Sequence, residues 1–323
     1  MTRMQVFRSL QEIPASFGPC VATIGNFDGV HSGHGWVISE VNQRARTLNV
    51  KSIAVTFEPH PVRVLRPELS PKLITPLAQK LELLDATGID AVLVLPFTLA
   101  MSQLSARAFA ASILRDGLHV VEVHEGENFR FGHGAEAGVQ SLESLGRELG
   151  FAVHVYAPRV LRGEAVSSSR IRQLLVEGDV SRARPLLGRP FAVEGKPAPG
   201  RGFGTRYAVP TINLAAYDEL LPGNGVYVTC LQVGGEHFQS VTNVGNRPTF
   251  GDDSFAVESH LLDFHPIDLQ ADTPLTLTFL KRLRAEQKWP STAALLEQIQ
   301  RDVARAQNYF RLARAMDLLR LRP

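Results

Sequence analysis

The sequence predicts a two-part chain: an α/β domain built on a parallel sheet, followed by a small antiparallel β-barrel and a C-terminal helix. Three observations carry this. Between residues 20 and 156, apolar runs of strand length alternate with segments of helical spacing, the pattern of a parallel sheet wrapped by helices. From residue 191 to about 280 the texture changes to Gly/Pro-rich turns between short β-rich runs, which reads as a small barrel. The chain has 323 residues, a length that favours two domains. We set the boundary near Gly188, giving domains 1–187 and 188–323.

The elements follow in order. Residues 20–24 form a short buried strand. Residues 35–50 carry Val37, Val41, Ala45 and Leu48 at helical spacing. Residues 51–57 read as a strand, 76–86 as a helix with Leu77, Leu81 and Leu84 on one face, and 91–95 as a strand. A helix over 105–114, a strand over 119–123, a helix over 135–149 and a strand over 152–156 complete the alternation. Two short helices, 168–177 and 180–187, precede the barrel. Its strands are predicted at 225–233, 238–244, 256–263 and 275–279, with a helical tail from 291 to about 319.

Composition narrows the class. The chain is 44% hydrophobic and 20% charged, which suits a soluble globular protein. A net charge of +2 gives no electrostatic case for nucleic acid. Cys20 and Cys230 lie far apart in apolar stretches, as buried free thiols of a reducing compartment would. The first residues, MTRMQVFRSL, show no signal sequence, and no run approaches a membrane span. We therefore expect a cytoplasmic protein with small-molecule substrates, no nucleic acid and no membrane partner. Oligomeric state is left open, a homo-oligomer included.

The most informative segment is GNFDGVHSGH, residues 25–34, set between a buried strand and a helix. A helix N-terminus offers free N–H groups and positive partial charge, which suit phosphate. His31 and His34, placed there, add donors for charge that builds in a transition state. The bland reading is a turn with two solvated histidines. Further segments fall at strand ends, where ligands of parallel sheets bind: TFEPHP at 56–61 and GENFRFG at 126–132. In the latter, Asn128 offers a donor and an acceptor, while Phe129 and Phe131 either pack or face an aromatic ring; packing is the usual fate of such residues. VSSSRIR, residues 166–172, supplies N-cap serines, and its hydroxyls, helix N–H groups and Arg172 also suit a triphosphate. No Asp/His cluster shows the spacing of a dedicated metal cage.

His31-Ser32-Gly33-His34 resembles the H-x-G-H signature of the nucleotidylyltransferases. The longer string GNFDGVHSGH resembles the N-terminal motif of the bacterial bifunctional riboflavin kinase/FAD synthetase family. TFEPHP and GENFRFG are similar to that family's second adenylylation motif and its flavin- and nucleotide-side loop. VSSSRIR resembles its closing I-S-S-T-x-I-R, with Ser169 in place of threonine. In the second half LGRPF (187–191), PTIN (210–213), NGVYV (224–228), NVGNRPTF (243–250), VESHLLDF (257–264) and LRAEQKW (283–289) follow in the family's order.

The resemblance implies a nucleotidylyltransferase-type sheet domain that adenylylates FMN, then a riboflavin kinase barrel. It implies that His31, His34 and Arg172 stabilise the adenylyl transition state. Gly25, Asn26, Phe27, Gly33, His60, Ser168 and Ser169 would hold ATP. Asn128, Phe129 and Arg130 would hold flavin. In the barrel, Gly200, Gly204 and Thr211 would bind ATP phosphates, Thr211 and Asn213 Mg²⁺, and Glu258 would be the general base. Taken alone, Glu258 reads as a surface strand residue. ATP is the co-substrate, Mg²⁺ arrives with it, and FMN and FAD are products. One departure stands out: residues 200–211 read GRGFGTRYAVPT, with Thr205 and Ala208 where the family has arginine and glycine. That keeps two other readings open: an FAD synthetase with a weakened or regulatory flavin-binding kinase module, and a nucleotidylyltransferase with another acceptor.

Overall fold

A computed structural model describes residues 3–198, 211–246, 255–265, 267 and 269–316. The chain divides into two compact units, Met1–Ser168 and Ser169–Pro323. In the first, chain order runs β1 (Gln5–Phe7), β2 (Cys20–Ile24), α1 (Ser32–Leu48), β3 (Lys51–Glu58), α2 (Pro61–Leu65), α3 (Leu77–Asp85) and β4 (Ala91–Pro96). Then come α4 (Leu99–Ser102), α5 (Ala106–Phe109) with its π-helical continuation Ala110–Gly117, β5 (Val120–Gly126), α6 (Val139–Leu149), β6 (Ala152–Tyr156) and the hairpin β7 (Val160–Leu161) and β8 (Glu164–Ala165).

Six strands form one sheet in the order β1-β4-β3-β2-β5-β6, every pairing parallel. All five residues of β2 are buried, as a central parallel strand covered on both faces requires. One face packs Phe7, Phe17, Ile24, Phe109, Leu114, Leu142 and Phe151. On the other, Ile38, Ala54, Leu84 and Val92 form one cluster, and Val21 with Val41 and Ala45 of α1 another. The helix expected from residue 135 begins at Val139, because Phe131 and Ala137 pair as a β-bridge and Gly138 is extended. The helix expected over 105–114 runs on to Gly117 by widening into π geometry.

The second unit holds α7 (Ser168–Val176, whose first residue closes the first unit), α8 (Val180–Leu187), β9 (Phe191–Gly195), β10 (Pro197–Ala198), β11 (Thr211–Leu214), β12 (Gly225–Val233), β13 (Glu236–Asn246), β14 (Phe255–Leu261), β15 (Leu275–Arg284) and α9 (Thr292–Ala315). The strands pair antiparallel in the order β10-β11-β14-β13-β12-β15-β9. The two edge strands, β9 and β10, are separated in sequence by Lys196 alone. The sheet therefore curls round into the barrel the sequence predicts.

Two polar devices lock this unit. Buried hydroxyls run across three strands: Thr229 Oγ1 meets Ser240 Oγ and Thr242 Oγ1 at 2.7 Å each, and Thr242 Oγ1 meets Ser259 Oγ at 2.8 Å. Each hydroxyl both donates and accepts, so a chain of them satisfies itself in a dry interior. At the barrel's side Arg284 Nε donates to Asp302 Oδ2 at 2.9 Å, Gln298 Nε2 donates to Asp302 Oδ1 at 2.9 Å, and Arg284 lies 5.5 Å from the Trp289 ring centre. These contacts tie β15 to α9, where Phe310 and Ala306 pack on Val226, Val228 and Leu280.

The helix α8 packs on β9 and β15 and buries Val180, Ala183, Leu186 and Leu187. Burial of each large apolar side chain contributes about 1.5–3 kcal/mol. A fragment of residues 169–323 should therefore melt at a clearly higher temperature than one of residues 188–323, measured by circular dichroism. Equal midpoints would mean that α8 adds nothing to the barrel.

Candidate functional site

In the first unit β3 and β5 flank β2 on opposite sides, so a crevice opens beyond its C-terminal end. The loop 25–31 starts there. Gly25 N–H donates to Val55 O at 2.9 Å, and Thr56 Oγ1 donates to Asn26 O at 3.4 Å. Phe27, Gly29 and Val30 all have positive φ, at 47°, 83° and 35°. For a β-branched residue such as Val30 that is strained, and strain of this kind persists only where the surroundings over-determine it.

Asp28 is one thing that over-determines it. Its buried carboxylate accepts from Ile74 N at 2.9 Å and Thr75 N at 3.1 Å, while Thr75 Oγ1 accepts from Gly29 N at 3.0 Å. Ser168 Oγ donates to Asp28 O at 2.8 Å. Ser168 thus reaches the loop by holding its backbone. Arg159 Nη1 also donates to Ser32 O at 3.2 Å.

His31 is the N-cap of α1, and the histidine pair forms a reciprocal capping box. His34 N donates to His31 Nδ1 at 3.2 Å and His31 N donates to His34 Nδ1 at 3.3 Å. The two rings stack, with centroids 3.5 Å apart and planes 12° apart. Phe27 meets His34 edge to face at 5.2 Å. Because each Nδ1 accepts a backbone proton, the hydrogen of each neutral ring lies on Nε2. The H-x-G-H spacing thereby places two Nε2–H donors at a helix start. A Cβ on Gly33 would lie 3.2 Å from the His31 ring, so the glycine makes room for the stack.

His60 caps α2, its Nδ1 accepting from Val62 N at 3.3 Å. Phe131 is in the core and Phe129 packs against it, stacked at 5.3 Å. Asn128 and Arg130 are exposed, and Arg130 Nε and Nη2 donate to Ala135 O at 3.1 and 2.9 Å. Ser169 and Arg172 lie on α7, Ser169 exposed and Arg172 half-buried. Residues 200–211 lie outside the described residues up to Pro210, so the positions of Gly200, Gly204, Thr205 and Ala208 are not described.

In the second unit register builds the site. Glu258 on β14 stands opposite Asn213 of β11 and Asn243 of β13, and Thr211 stands opposite His260. Opposed residues share a face of the sheet. Motifs some 45 residues apart in sequence therefore become one row, Asn213-Glu258-Asn243. Beside the end of β14, His260, Phe264, Val303 and Gln307 line a shallow groove against α9.

Sequence reading missed Asp28 as the clip, and Thr75, Lys80 and Glu125. Lys80 is buried; burial lowers its pKa, against the opposing pull of Asp28 and Glu58. Glu125 is fully enclosed at the β2–β5 divergence, accepting from Ile24 N at 2.5 Å and from Thr23 Oγ1 at 3.4 Å. A carboxylate one residue before the end of β5, where strands of a parallel sheet meet the crevice, was the available signal.

Comparison with known proteins assigns these two units to two transferase classes. The family model for FAD synthetase matches residues 13–170, and that for riboflavin kinase matches residues 187–310. A bifunctional riboflavin kinase/FMN adenylyltransferase of Pseudomonas fluorescens is 38% identical over 304 residues, 94% of this chain and 97% of its own length. One of the same description from Escherichia coli K12 is 34% identical over 296 residues, 91% and 94% of the two chains. A crystal structure from Streptococcus pneumoniae, described as a macrolide-efflux protein, superposes with a TM-score of 0.84 at 25% identity, covering 95% of this chain and 99% of that one. Among the described residues here, no helix is long and apolar enough to cross a membrane. The chain belongs to the bifunctional riboflavin kinase/FMN adenylyltransferase family.

Burial raises the Glu125 carboxyl well above its ordinary 4.5, against the hydrogen bonds from Ile24 and Thr23. The folded protein therefore keeps a proton that the unfolded chain loses above that pH, and this contribution to stability declines as pH rises. Glu125→Gln keeps the acceptor for Ile24 and has no proton to lose. Denaturant unfolding from pH 4.5 upward should show the variant gaining stability relative to wild type. Parallel curves would mean that Glu125 is ionised in the folded protein.

Proposed function

We propose that this chain makes FMN from riboflavin and FAD from FMN, each with ATP, the first step on the barrel and the second on the parallel-sheet unit. The single observation that best supports it is the reciprocal His31–His34 cap, beyond β2, within a chain whose two halves match the two family models.

In adenylylation an FMN phosphate oxygen attacks the α-phosphorus of ATP in line, and pyrophosphate leaves. No protein nucleophile is needed. His31 and His34 donate through Nε2–H to phosphoryl oxygens as charge develops. The backbone of Gly25, Asn26, Phe27 and Gly33, with His60, Ser168 and Ser169, cradles the nucleotide, and Arg172 binds phosphate. Asn128 and Arg130 meet the flavin at the exposed loop. Phe129, packed on the core, offers that loop a fixed base and whatever ring edge remains accessible.

In phosphorylation the terminal ribityl hydroxyl attacks the γ-phosphorus and Glu258 accepts its proton. The register supports this role, since pairing with both neighbouring strands fixes Glu258 between Asn213 and Asn243. The Thr211 hydroxyl and the Asn213 amide oxygen are hard oxygen donors and fit Mg²⁺. The ion, when bound with ATP, neutralises phosphate charge. Phe264 and Val303 give the groove beside β14 an apolar wall for a flavin ring. The kinase reading rests on this register and on the match that runs to residue 310, which favour an active kinase over a decayed one. Two buried free cysteines, with thiol pKa values pushed up by burial to about 12 and about 11, support a reducing, cytoplasmic setting.

Two variants separate the steps. His31→Ala or His34→Ala should lower FAD formation from supplied FMN by roughly 10²–10³ while FMN formation from riboflavin continues. Near wild-type FAD production would remove the histidines from the mechanism. Conversely, Glu258→Gln should abolish FMN formation and leave FAD formation from FMN intact. The substitution keeps size and removes the proton acceptor, so unchanged FMN output would end the case for Glu258 as the base.

A further inference from the structure

Glu122 and His124 lie two residues apart on β5, and His154 stands directly opposite His124 on β6. Glu122 Oε2 is 3.2 Å from His124 Nε2 and 3.4 Å from His154 Nε2. The three ligand atoms all lie within 4.8 Å of one another. The chemistry proposed above uses none of these side chains.

The spacing has a meaning. At metal–ligand bonds of about 2.0–2.1 Å, tetrahedral ligands stand about 3.3–3.4 Å apart. Both measured distances from the carboxylate match that edge. Two imidazoles and one carboxylate also form a donor set suited to zinc and its neighbours rather than to Mg²⁺, which prefers oxygen alone. His154 Nε2 is buried and has no hydrogen-bond partner, although 42% of its side chain is exposed. The ring thus aims a shielded nitrogen at the cluster while its outer edge meets solvent, which leaves an approach for an ion and a fourth ligand.

The surroundings orient the set. His124, with 1% of its side chain exposed, has its Nδ1 2.7 Å from Tyr156 Oη, and Tyr156 is held edge to face by Trp36 at 5.0 Å. A phenol accepts as readily as it donates. It can therefore accept a hydrogen bond from Nδ1–H, so that a metal takes the place of the proton through which His124 Nε2 meets Glu122 Oε2, the usual supporting arrangement behind a ligating histidine. Arg44 opposes the ion. Its Nε donates to Glu122 Oε2 at 2.9 Å and its Nη2 to Oε1 at 2.5 Å. Its positive charge weakens the site, so the ion should exchange rather than remain permanently. Glu122 Oε2, which has two lone pairs, accepts from Arg44 Nε and is also the oxygen nearest both histidines.

We propose that Glu122, His124 and His154 form an exchangeable binding site for a late first-row divalent cation, with Zn²⁺ the ion to test, separate from the Mg²⁺ that accompanies ATP. A bound ion would brace the edge strand β6 against β5, the strand that ends in the 126–132 loop.

The test is Zn²⁺ titration of the full chain with Mg²⁺ in excess, followed by calorimetry and by the thermal midpoint of the first unit. Wild type should bind one more equivalent than His154→Gln, and only wild type should show the associated rise in midpoint. Tyr156→Phe should weaken that equivalent by about 10–100-fold, the effect typical of losing a supporting partner. Arg44→Gln should tighten it. Co²⁺ in place of Zn²⁺ should give the strong visible band of a four-coordinate ion in wild type and lose it in His154→Gln. Because His154 is half-exposed on an edge strand, that variant should fold and retain both flavin activities. Equal Zn²⁺ stoichiometry in wild type and His154→Gln would overturn the site. So would a midpoint that Zn²⁺ shifts equally in both.

Discussion

Strand β2 lies inside a parallel sheet with its two neighbours passing to opposite sides, and much of the first unit follows from that. The divergence at Ile24 opens the crevice, and a backbone N–H that would otherwise lose its ladder partner is taken up by the buried Glu125. An orphaned N–H in such a place would cost about 1–3 kcal/mol. The chain must then cross from strand to helix within a few residues, and it does so through three positive-φ positions. Asp28 and Thr75 hold those positions with hydrogen bonds to backbone. The histidine pair is the last stage of the same turn, closing the helix N-terminus on itself through the two Nδ1 atoms.

The second unit reaches a comparable result by other means. There, strand pairing places Glu258 between two asparagines, and no strained turn among the described residues is needed. A site on paired strands inherits the rigidity of the sheet, whereas a site on a loop needs clips. This difference fits the two chemistries. Adenylylation asks for many weak donors around a long triphosphate, and a loop at a helix start supplies them. Proton removal from one hydroxyl asks for a single carboxylate held in place.

Much of this was legible in the sequence. Alternating apolar runs gave the parallel sheet, and the change of texture after residue 188 gave the barrel. The strand over 225–233 was read with its observed bounds because Val226, Tyr227, Val228, Thr229 and Val233 favour strands and Gly234-Gly235 end the run. Shorter or edge elements were missed: β1 has three residues and the hairpin β7–β8 two each, too few for any period to show. The histidines were found from their position before a helix, but their mutual capping was not, since ring stacking depends on the backbone of Gly33. Asp28, Lys80 and Glu125 escaped because their roles arise from contacts up to 140 residues away. The Glu122–His124–His154 cluster was invisible for the same reason: i, i+2 spacing is unremarkable until a neighbouring strand supplies the third group.

The hydroxyls of Thr229, Ser240, Thr242 and Ser259 close one another's hydrogen bonds within the barrel, so these positions are not independent of one another. Replacing one by valine strands its neighbours' protons or lone pairs in a dry interior, while replacing all of them with apolar residues of similar volume removes the demand altogether. Change at these sites is therefore easiest in concert. Across diverging sequences the four should covary, oxygen-bearing together or apolar together, and a lone exchange should appear only with a second one beside it.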